Sequence, residues 1–367
     1  MSMDGIAYIN IGCILSQIGQ TWQINNANSL LLKDKVVKHI PDTSIELLVV
    51  DMDNVVSLYE GVEGKSSYLK SVFYEVEKLE SVRRILFSNC SEGNANFLRE
   101  KDFPNSSKVF VLSFEYETDC LRSSKNVSND EDIKKVANCL FGEVAIAVKK
   151  EEYLNFISKL TGKRIKALLS DNKCIEDMDD SSMHILSSTP VHVNKYVNLK
   201  PLLEKNECFQ EICYLLYQQI VKKCSTPDYL VASSRNSIYI ASGLLHFFKT
   251  ANMIIVDQIS PVTKLSNFSN LDDITPNRTY AIIEDFCCMG TEIKTVKSVL
   301  WSRGVDVEQD CFVFPMVSSN LYGKETYNKL KLQKIYPLYI LENDDYLMYT
   351  INSCPVCNKV EHVQVKD

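Results

Sequence analysis

Short apolar runs that alternate with segments of helical periodicity are the feature that most constrains the fold of this chain. The runs have the length of strands, and they occur at residues 45–50, 84–87, 108–112, 144–148, 167–169, 229–232, 253–256, 280–283 and 311–317. Amphipathic helix patterns lie between several of them, at residues 153–160, 208–221 and 293–301. This alternation predicts an α/β fold with mainly parallel sheets and helices on both faces. Functional side chains are then expected at the carboxyl ends of the strands.

The length of the chain, 367 residues, favours two domains over one hydrophobic core. A Ser-Ser-Thr-Pro stretch at 187–190 interrupts the pattern before a long amphipathic helix and indicates a boundary near 190–200. We therefore predict two Rossmann-like domains, at 45–195 and 196–345. Residues 1–44 remain unassigned, and residues 346–367 form a short C-terminal tail.

Composition and charge narrow the functional classes. The net charge of −7 and the pI of about 5.5 argue against a general nucleic-acid binder. No apolar run approaches the roughly 18 residues of a membrane-spanning helix, and the N-terminus lacks a basic leader region. The 13 cysteines are scattered through apolar segments, as is typical of reduced core thiols. We expect a soluble cytoplasmic protein that does not bind membranes; a homo-oligomer or a larger complex stays open.

Two loops in the C-terminal half follow predicted strands and carry polar groups. The first comprises Ser233, Ser234, Arg235, Asn236 and Ser237, and a helix follows it. The second begins with the adjacent acids Glu284 and Asp285, continues through Cys288, Gly290 and Thr291, and also leads into a helix. Carboxylates at a strand end can hold ribose hydroxyls or Mg²⁺, and the backbone N–H groups of a loop and helix start can hold a phosphate. The pattern therefore indicates a site for a ribose 5-phosphate.

This pair of loops resembles the type I phosphoribosyltransferases over about residues 200–340. The resemblance implies that Glu284 and Asp285 bind the ribose hydroxyls, with Asp285 at the catalytic centre. It implies further that residues 288–291 bind the 5-phosphate and that residues 233–237, with Arg235 as a charged donor, bind pyrophosphate. The ligand would be phosphoribosyl pyrophosphate or a nucleotide-like molecule, and Mg²⁺ would neutralise the leaving pyrophosphate.

The second loop departs from that family at Glu292, which stands where a phosphate-binding hydroxyl is expected. A carboxylate about 5 Å from a phosphate dianion costs several kcal/mol at an effective dielectric constant near 20. The alternative interpretation is therefore a module that senses a nucleotide without turnover, inside a larger assembly such as a bacterial stress or defence system. A purely structural role for Glu284 and Asp285, as caps of the following helix, also stays open.

The N-terminal half carries a second arrangement of acids after strand-like runs. Its residues are Asp51 and Asp53 after the first run, Ser88 after the second, Lys149 or Lys150 before a helix, and Asp171 with Glu176 or Asp177 after the run at 167–169. The order resembles the haloacid dehalogenase superfamily of phosphatases over about residues 45–195. The resemblance implies that Asp51 accepts a phosphoryl group and Asp53 is the acid or base. Ser88 and Lys149 would then hold phosphoryl oxygens, and Asp51, Asp53 and Asp171 would bind Mg²⁺. Solvated acids at the strand ends of an unrelated domain, or a non-catalytic member, are the alternatives.

The C-terminal tail contains a Cys-Pro-Val-Cys sequence. The thiols of Cys354 and Cys357 have the spacing of two ligands of one tetrahedral zinc ion. His362 is the only further ligand type nearby, so the remaining ligands would have to come from elsewhere in the chain or from a partner. Zinc binding and two free thiols on a loop stay equally open.

Overall fold

The computed structural model describes residues 6–17, 44–52, 82–88, 109–111, 122–123, 150–177, 191–256, 274–288, 290–319, 334–341 and 348–350. The chain divides into two compact units, residues 1–161 and 162–367. The domain ranges inferred from the sequence stay predictions. None of the described helices combines the length and apolar character of a membrane-spanning segment.

The N-terminal unit contains a mainly parallel sheet. Its elements are β1 (Ile6–Asn10), α1 (Ile11–Gln17), β2 (Leu47–Asp51), β3 (Ile85–Ser88), β4 (Val109–Val111) and β5 (Arg122–Ser123). The strands follow the order β1-β2-β3-β4-β5; the first four are parallel and β5 is antiparallel to β4. Every residue of β2 is buried, as expected for a central parallel strand. The strands predicted at 45–50, 84–87 and 108–112 are confirmed, whereas β1 lies in the segment that the sequence left unassigned.

The rest of the described chain contains five helices and nine strands. The helices are α2 (Lys150–Asp171), α3 (Lys200–Leu203), α4 (Asn206–Cys224), α5 (Arg235–Leu244) and α6 (Thr291–Ser302). The strands are β6 (Ile175–Asp177), β7 (Val191–Val193), β8 (Lys195–Val197), β9 (Tyr229–Ala232), β10 (Asn252–Ile255), β11 (Tyr280–Cys287), β12 (Cys311–Ser319), β13 (Tyr339–Leu341) and β14 (Met348–Thr350). A parallel sheet follows the order β10-β9-β11-β12-β13, and the pairs β6–β8 and β7–β14 are antiparallel.

The main sheet of the C-terminal unit has a hydrophobic core on each face, because successive side chains of a strand point to opposite sides. On one face, Leu230 and Ile283 pack with residues of α2, α3, α4 and α5. On the other face, Val231 and Ile282 pack with residues of α6. The predicted α/β fold with mainly parallel sheets is therefore confirmed, with helices on both faces of this sheet.

One predicted strand is wrong. Residues 167–169 lie in the last turns of α2 rather than in a strand. Ile165, Leu168 and Leu169 are all buried, and their spacing of three and four residues places them on one face of the helix. A three-residue apolar run fits a helix face as well as a strand, and packing against the core decided between them. Asp171 consequently ends a helix, where it is exposed, and does not follow a strand.

Candidate functional site

The strand order of the C-terminal unit creates a crevice at the carboxyl ends of β9 and β11. From β9 the chain passes through α5 to β10 on one side, whereas β11 and β12 extend the sheet on the other side. In open parallel sheets, ligands bind at such a point of divergence. The register pairs Ala232 with Ile283, so Ser233 and Glu284 are the next residues along the two strands. Beyond this pair β11 continues beside β12 to Cys287, so Glu284 and Asp285, which were predicted to begin a loop, lie within the strand and next to the loop that follows β9.

The loop after β9 is held by a capping box at the start of α5. Ser234 Oγ accepts a hydrogen bond from the Ser237 backbone N–H (3.0 Å), and Ser237 Oγ accepts one from the Ser234 N–H (2.8 Å). Ser237 Oγ also accepts from the Ser233 N–H at 3.1 Å, and the residue is fully buried. Ser237 thus shapes the loop from within, whereas Arg235 is exposed at the helix start.

Asp285 joins the two loops. Its Oδ1 accepts a hydrogen bond from Ser234 Oγ (3.0 Å), and its Oδ2 accepts one from Asn236 Nδ2 (2.9 Å). Both donors follow β9, Ser234 as the N-cap residue of α5 and Asn236 in its first turn, so one carboxylate of β11 fixes the start of α5. These are the residues for which the sequence predicted ribose and pyrophosphate contacts.

Glu284 is buried beside this contact, with 1 % of its surface exposed. Its Oε1 accepts a hydrogen bond from Ser233 Oγ at 3.2 Å, while its Oε2 has no hydrogen-bond partner of good geometry among the described residues. Burial, followed by the negative charges of Glu292 and Asp285, raises the pKa of Glu284 well above its ordinary value. The carboxyl group is therefore a strong candidate to hold a proton or a cation.

Glu292 contributes a third acid from the first turn of α6. Oxygen atoms of Glu284, Asp285 and Glu292 all lie within 4.8 Å of one another. Burial and the charge of Asp285 raise the pKa of Glu292 as well. The sequence marked Glu292 as a departure from a phosphate loop, but its proximity to Glu284 depends on the left-handed turn at Gly290 and was not predicted.

That turn brings the start of α6 against the crevice. Gly290 precedes α6 with a φ of +65°, a backbone conformation that glycine adopts without strain, and no side chain caps the helix. The loop carbonyls of Cys287 and Cys288 accept hydrogen bonds from Ser318 Oγ (3.4 Å) and Ser319 Oγ (3.1 Å). Burial raises the pKa of the Cys287 thiol to about 12, so this group stays protonated at neutral pH. The N-cap residue Gly290 therefore leaves the first N–H groups of α6 without a cap of its own at a positively polarised helix end.

The crevice itself has a volume of about 260 Å³. Its lining contains the three acids, Ser234, and Val197 from β8. Cys288, Gly290 and the first residue of α6, Thr291, also line it. The arrangement offers acceptors for hydroxyl groups or a cation at one point and N–H donors for an anion at another. It can thus bind a ligand that carries hydroxyls next to an acidic group.

The N-terminal unit has its own row of polar side chains. Asn10, Asp51 and Ser88 are paired in register at the carboxyl ends of β1, β2 and β3, and all three are buried. Asp51 Oδ2 accepts a hydrogen bond from Tyr8 Oη at 2.6 Å. The predicted neighbours Asp51 and Ser88 are therefore brought together, and Asn10 and Tyr8 are additions that the sequence did not reveal.

Several predicted site residues lie outside the described residues: Asp53, Lys149, Cys354 and Cys357. Their predicted roles in phosphate, magnesium or zinc binding stay predictions. The role of Asp171 loses the strand on which it depended, because the residue ends α2. The eight cysteines of the described segments form no disulfide bond.

No protein-family model matches the sequence, and no curated protein sequence matches it significantly. Among solved structures, the chain is similar to adenine phosphoribosyltransferase from Thermoanaerobacter pseudethanolicus, with 14 % identity, 47 % of this chain and 99 % of that chain covered, and a TM-score of 0.36. It is similar to orotate phosphoribosyltransferase from Aeropyrum pernix, with 14 % identity, 48 % and 93 % covered, and a TM-score of 0.38. It is also similar to UMP synthase from Leishmania donovani, with 12 % identity, 91 % and 90 % covered, and a TM-score of 0.40. None of the three is named as a phosphatase.

Proposed function

We propose that the C-terminal unit binds phosphoribosyl pyrophosphate or a nucleotide-like ligand in the crevice between β9 and β11. The observation that carries the proposal is the convergence of the two loops on Asp285, whose carboxylate accepts from Ser234 and Asn236 at 3.0 and 2.9 Å. A carboxylate at this position can release Ser234 and Asn236 and accept hydrogen bonds from two vicinal ribose hydroxyls instead. The ligand would then replace contacts that the loops make with each other.

The start of α6 supports a place for the 5-phosphate. Gly290 leaves the helix end without a side-chain cap, and Thr291 is exposed at its first position. A phosphate at this end would receive backbone N–H groups and a favourable helix dipole. Ser234 lines the crevice, where it and the exposed Arg235 would meet the pyrophosphate end, and the buried Ser233 would support this loop through Glu284.

Magnesium fits the chemistry of these side chains, because a buried carboxylate oxygen without a hydrogen-bond donor suits a hard cation. Glu284 and Asp285 would hold the ion, which would supply charge neutralisation for a departing pyrophosphate. The protein's own part in a transfer reaction would be to orient the ribose through Asp285 and to stabilise developing negative charge with backbone donors.

Glu292 favours a second candidate function, namely sensing of the ligand without turnover. Its carboxylate lies on the phosphate side of the crevice within 4.8 Å of the other two acids. An unneutralised carboxylate about 5 Å from a phosphate charge costs about 3 kcal/mol at an effective dielectric constant of about 20. A site with this carboxylate binds a phosphate best when a proton or a cation offsets the charge. A sensor needs such binding but does not need rapid turnover.

The proposal is tested by calorimetric titration of phosphoribosyl pyrophosphate and Mg²⁺ into the full chain and into Asp285→Asn. Loss of a hydrogen bond to a charged group removes about 1.5–3 kcal/mol, so we expect affinity to fall about tenfold to a hundredfold. Glu308→Gln is the control, because Glu308 is exposed and precedes β12. It therefore lies near the amino ends of the strands, whereas the crevice lies at their carboxyl ends. No binding to the natural chain, or equal binding to Asp285→Asn, would refute the proposal. Pyrophosphate release with a panel of nucleobases then separates a transferase from a sensor.

A phosphatase activity of the N-terminal unit is a further candidate, favoured by the register of Asn10, Asp51 and Ser88. Asp51 would be the phosphoryl acceptor of such an enzyme, with Mg²⁺ as its cofactor. The test is Mg²⁺-dependent hydrolysis of p-nitrophenyl phosphate by the full chain and by Asp51→Asn. Hydrolysis that Asp51→Asn does not reduce would exclude Asp51 as the acceptor.

A further inference from the structure

Helix capping alone does not account for the three acids of the crevice, because they come from two different elements. Glu284 and Asp285 belong to β11, whereas Glu292 belongs to the first turn of α6. Their oxygen atoms nevertheless lie within 4.8 Å of one another. An ion whose oxygen ligands are about 2.4 Å away spans oxygen–oxygen separations up to about 4.8 Å, so the three carboxylates already have the spacing of a common ligand set.

Among the residues that the structure describes, no neighbouring base offsets the charges of these acids. Among the described residues, none of the three forms an ion pair with a lysine, arginine or histidine, although such pairs occur elsewhere in the same unit, as between Arg164 and Glu211. Like charges at this separation repel one another by about 3 kcal/mol per pair at an effective dielectric constant of about 20 when all are ionised. The cluster therefore requires a proton or a cation.

An independent observation points to a ligand rather than to an exposed acidic patch. Glu284 lines the crevice with only 1 % of its surface exposed, and its Oε2 has no hydrogen-bond partner of good geometry among the described residues. Buried polar atoms are almost always satisfied, whereas the Glu284 carboxyl is held only by Ser233 and by a hydrogen bond with Glu292 among the described residues, and a cation can take the place of the proton shared by the two acids. The adjoining space of about 260 Å³ has room for water ligands as well.

We propose that Glu284, Asp285 and Glu292 together bind one divalent cation directly, without a phosphoribosyl ligand. The ligand set is three carboxylates, which selects hard cations such as Mg²⁺, Mn²⁺ or Ca²⁺ over softer metals. This goes beyond the proposed function, in which Mg²⁺ accompanies pyrophosphate and only the two acids of β11 take part. Here Glu292 is a ligand of the ion, and the ion reduces the negative charge that an incoming phosphate would meet.

The test is calorimetric titration of MnCl₂ and MgCl₂ into the metal-stripped full chain in the absence of any phosphate compound. We expect one cation to bind at this site and Glu292→Gln to weaken its binding about tenfold or more, because one charged ligand is lost. Glu292→Asp keeps a carboxylate and should retain more affinity than Glu292→Gln. Circular dichroism of each variant verifies that it is folded.

Asp51→Asn separates this site from the magnesium site predicted in the N-terminal unit: whatever cation binding Asp51→Asn removes, the binding that Glu292→Gln weakens should persist in it. The proposal is overturned if the natural chain takes up no cation, if Glu292→Gln binds it as tightly, or if only Asp51→Asn abolishes binding. Because the titration contains no phosphoribosyl pyrophosphate, its outcome is independent of the proposed function.

Discussion

The carboxyl cluster makes a specific prediction about stability. Glu292→Gln keeps the size of the side chain and removes its charge from the neighbourhood of Glu284 and Asp285. With oxygen atoms within 4.8 Å and an effective dielectric constant of about 20, each fully charged pair costs about 3 kcal/mol. Partial exposure of Glu292 and proton uptake by Glu284 reduce the effect. We therefore expect Glu292→Gln to stabilise the metal-free protein by about 1–2 kcal/mol at about pH 8.

The sign of the pH dependence follows from the raised pKa values. Glu284 and Glu292 both bind protons more tightly in the folded chain than at their ordinary pKa of 4.5. Their contribution to stability is fully present below that value and is lost as the pH rises through the raised folded pKa values. As the pH falls through the raised pKa, Glu292 takes up a proton and comes to resemble glutamine, so the difference between the variant and the natural chain should shrink toward low pH.

The assay is calorimetric unfolding in EDTA at about pH 5 and about pH 8. For a unit of this size, 1 kcal/mol corresponds to about 2–4 °C in Tm, so the expected gain is about 2–8 °C at the higher pH and smaller at the lower. Glu204→Gln is the control, because its carboxylate is 65 % exposed and pairs only with Lys200 at 3.6 Å. An equal or lower Tm of Glu292→Gln at both pH values would refute the electrostatic reasoning.

Two further predictions concern the packing and the loops of the same unit. Gly243→Ala should destabilise by about 1–3 kcal/mol in chemical denaturation, because its Cβ would meet Cys213 Sγ and Phe209 Cζ at 2.6 Å. Gly162→Ala is the matched control: its Cβ would meet Tyr339 Cδ2 at an ordinary 3.8 Å, so it should be neutral or stabilise α2 by up to about 1 kcal/mol. Ser237→Ala should cost about 1–3 kcal/mol and increase amide hydrogen exchange at residues 233 and 234, whose N–H groups lose their acceptor. Unchanged exchange at these two amides would show that the capping box does not hold the loop.

Local sequence patterns predicted the strands correctly where both faces of a strand are buried, because such a strand is a continuous apolar run. The runs at 229–232 and 280–283 consist of residues that the parallel sheet buries almost completely, and both are strands. The run at 167–169 is equally apolar but too short to show a period, and its packing against the core made it part of α2. Short runs are ambiguous because the same few side chains can cover either a helix face or a strand.

The residues of the candidate sites were also predicted only in part. The acids at the end of β11 and the serine loop after β9 were identified from their positions after strands, since a carboxyl-end loop is where side chains leave a parallel sheet. Asn10 and Tyr8 were not identified, because nothing local shows that β1 pairs with β2 and aligns Asn10 with Asp51.

The sequence by itself determined the class of fold and the types of residue at the strand ends, because hydrophobic periodicity and turn residues act over a few neighbouring positions. Only the tertiary structure decided which of those residues meet. The contact between Ser234 and Asp285 joins positions 51 residues apart and exists because β9 and β11 are adjacent in the sheet. The left-handed turn at Gly290 then sets Glu292 against Glu284. Strand order and register are properties of the packed chain, and they convert scattered acids and hydroxyls into one crevice.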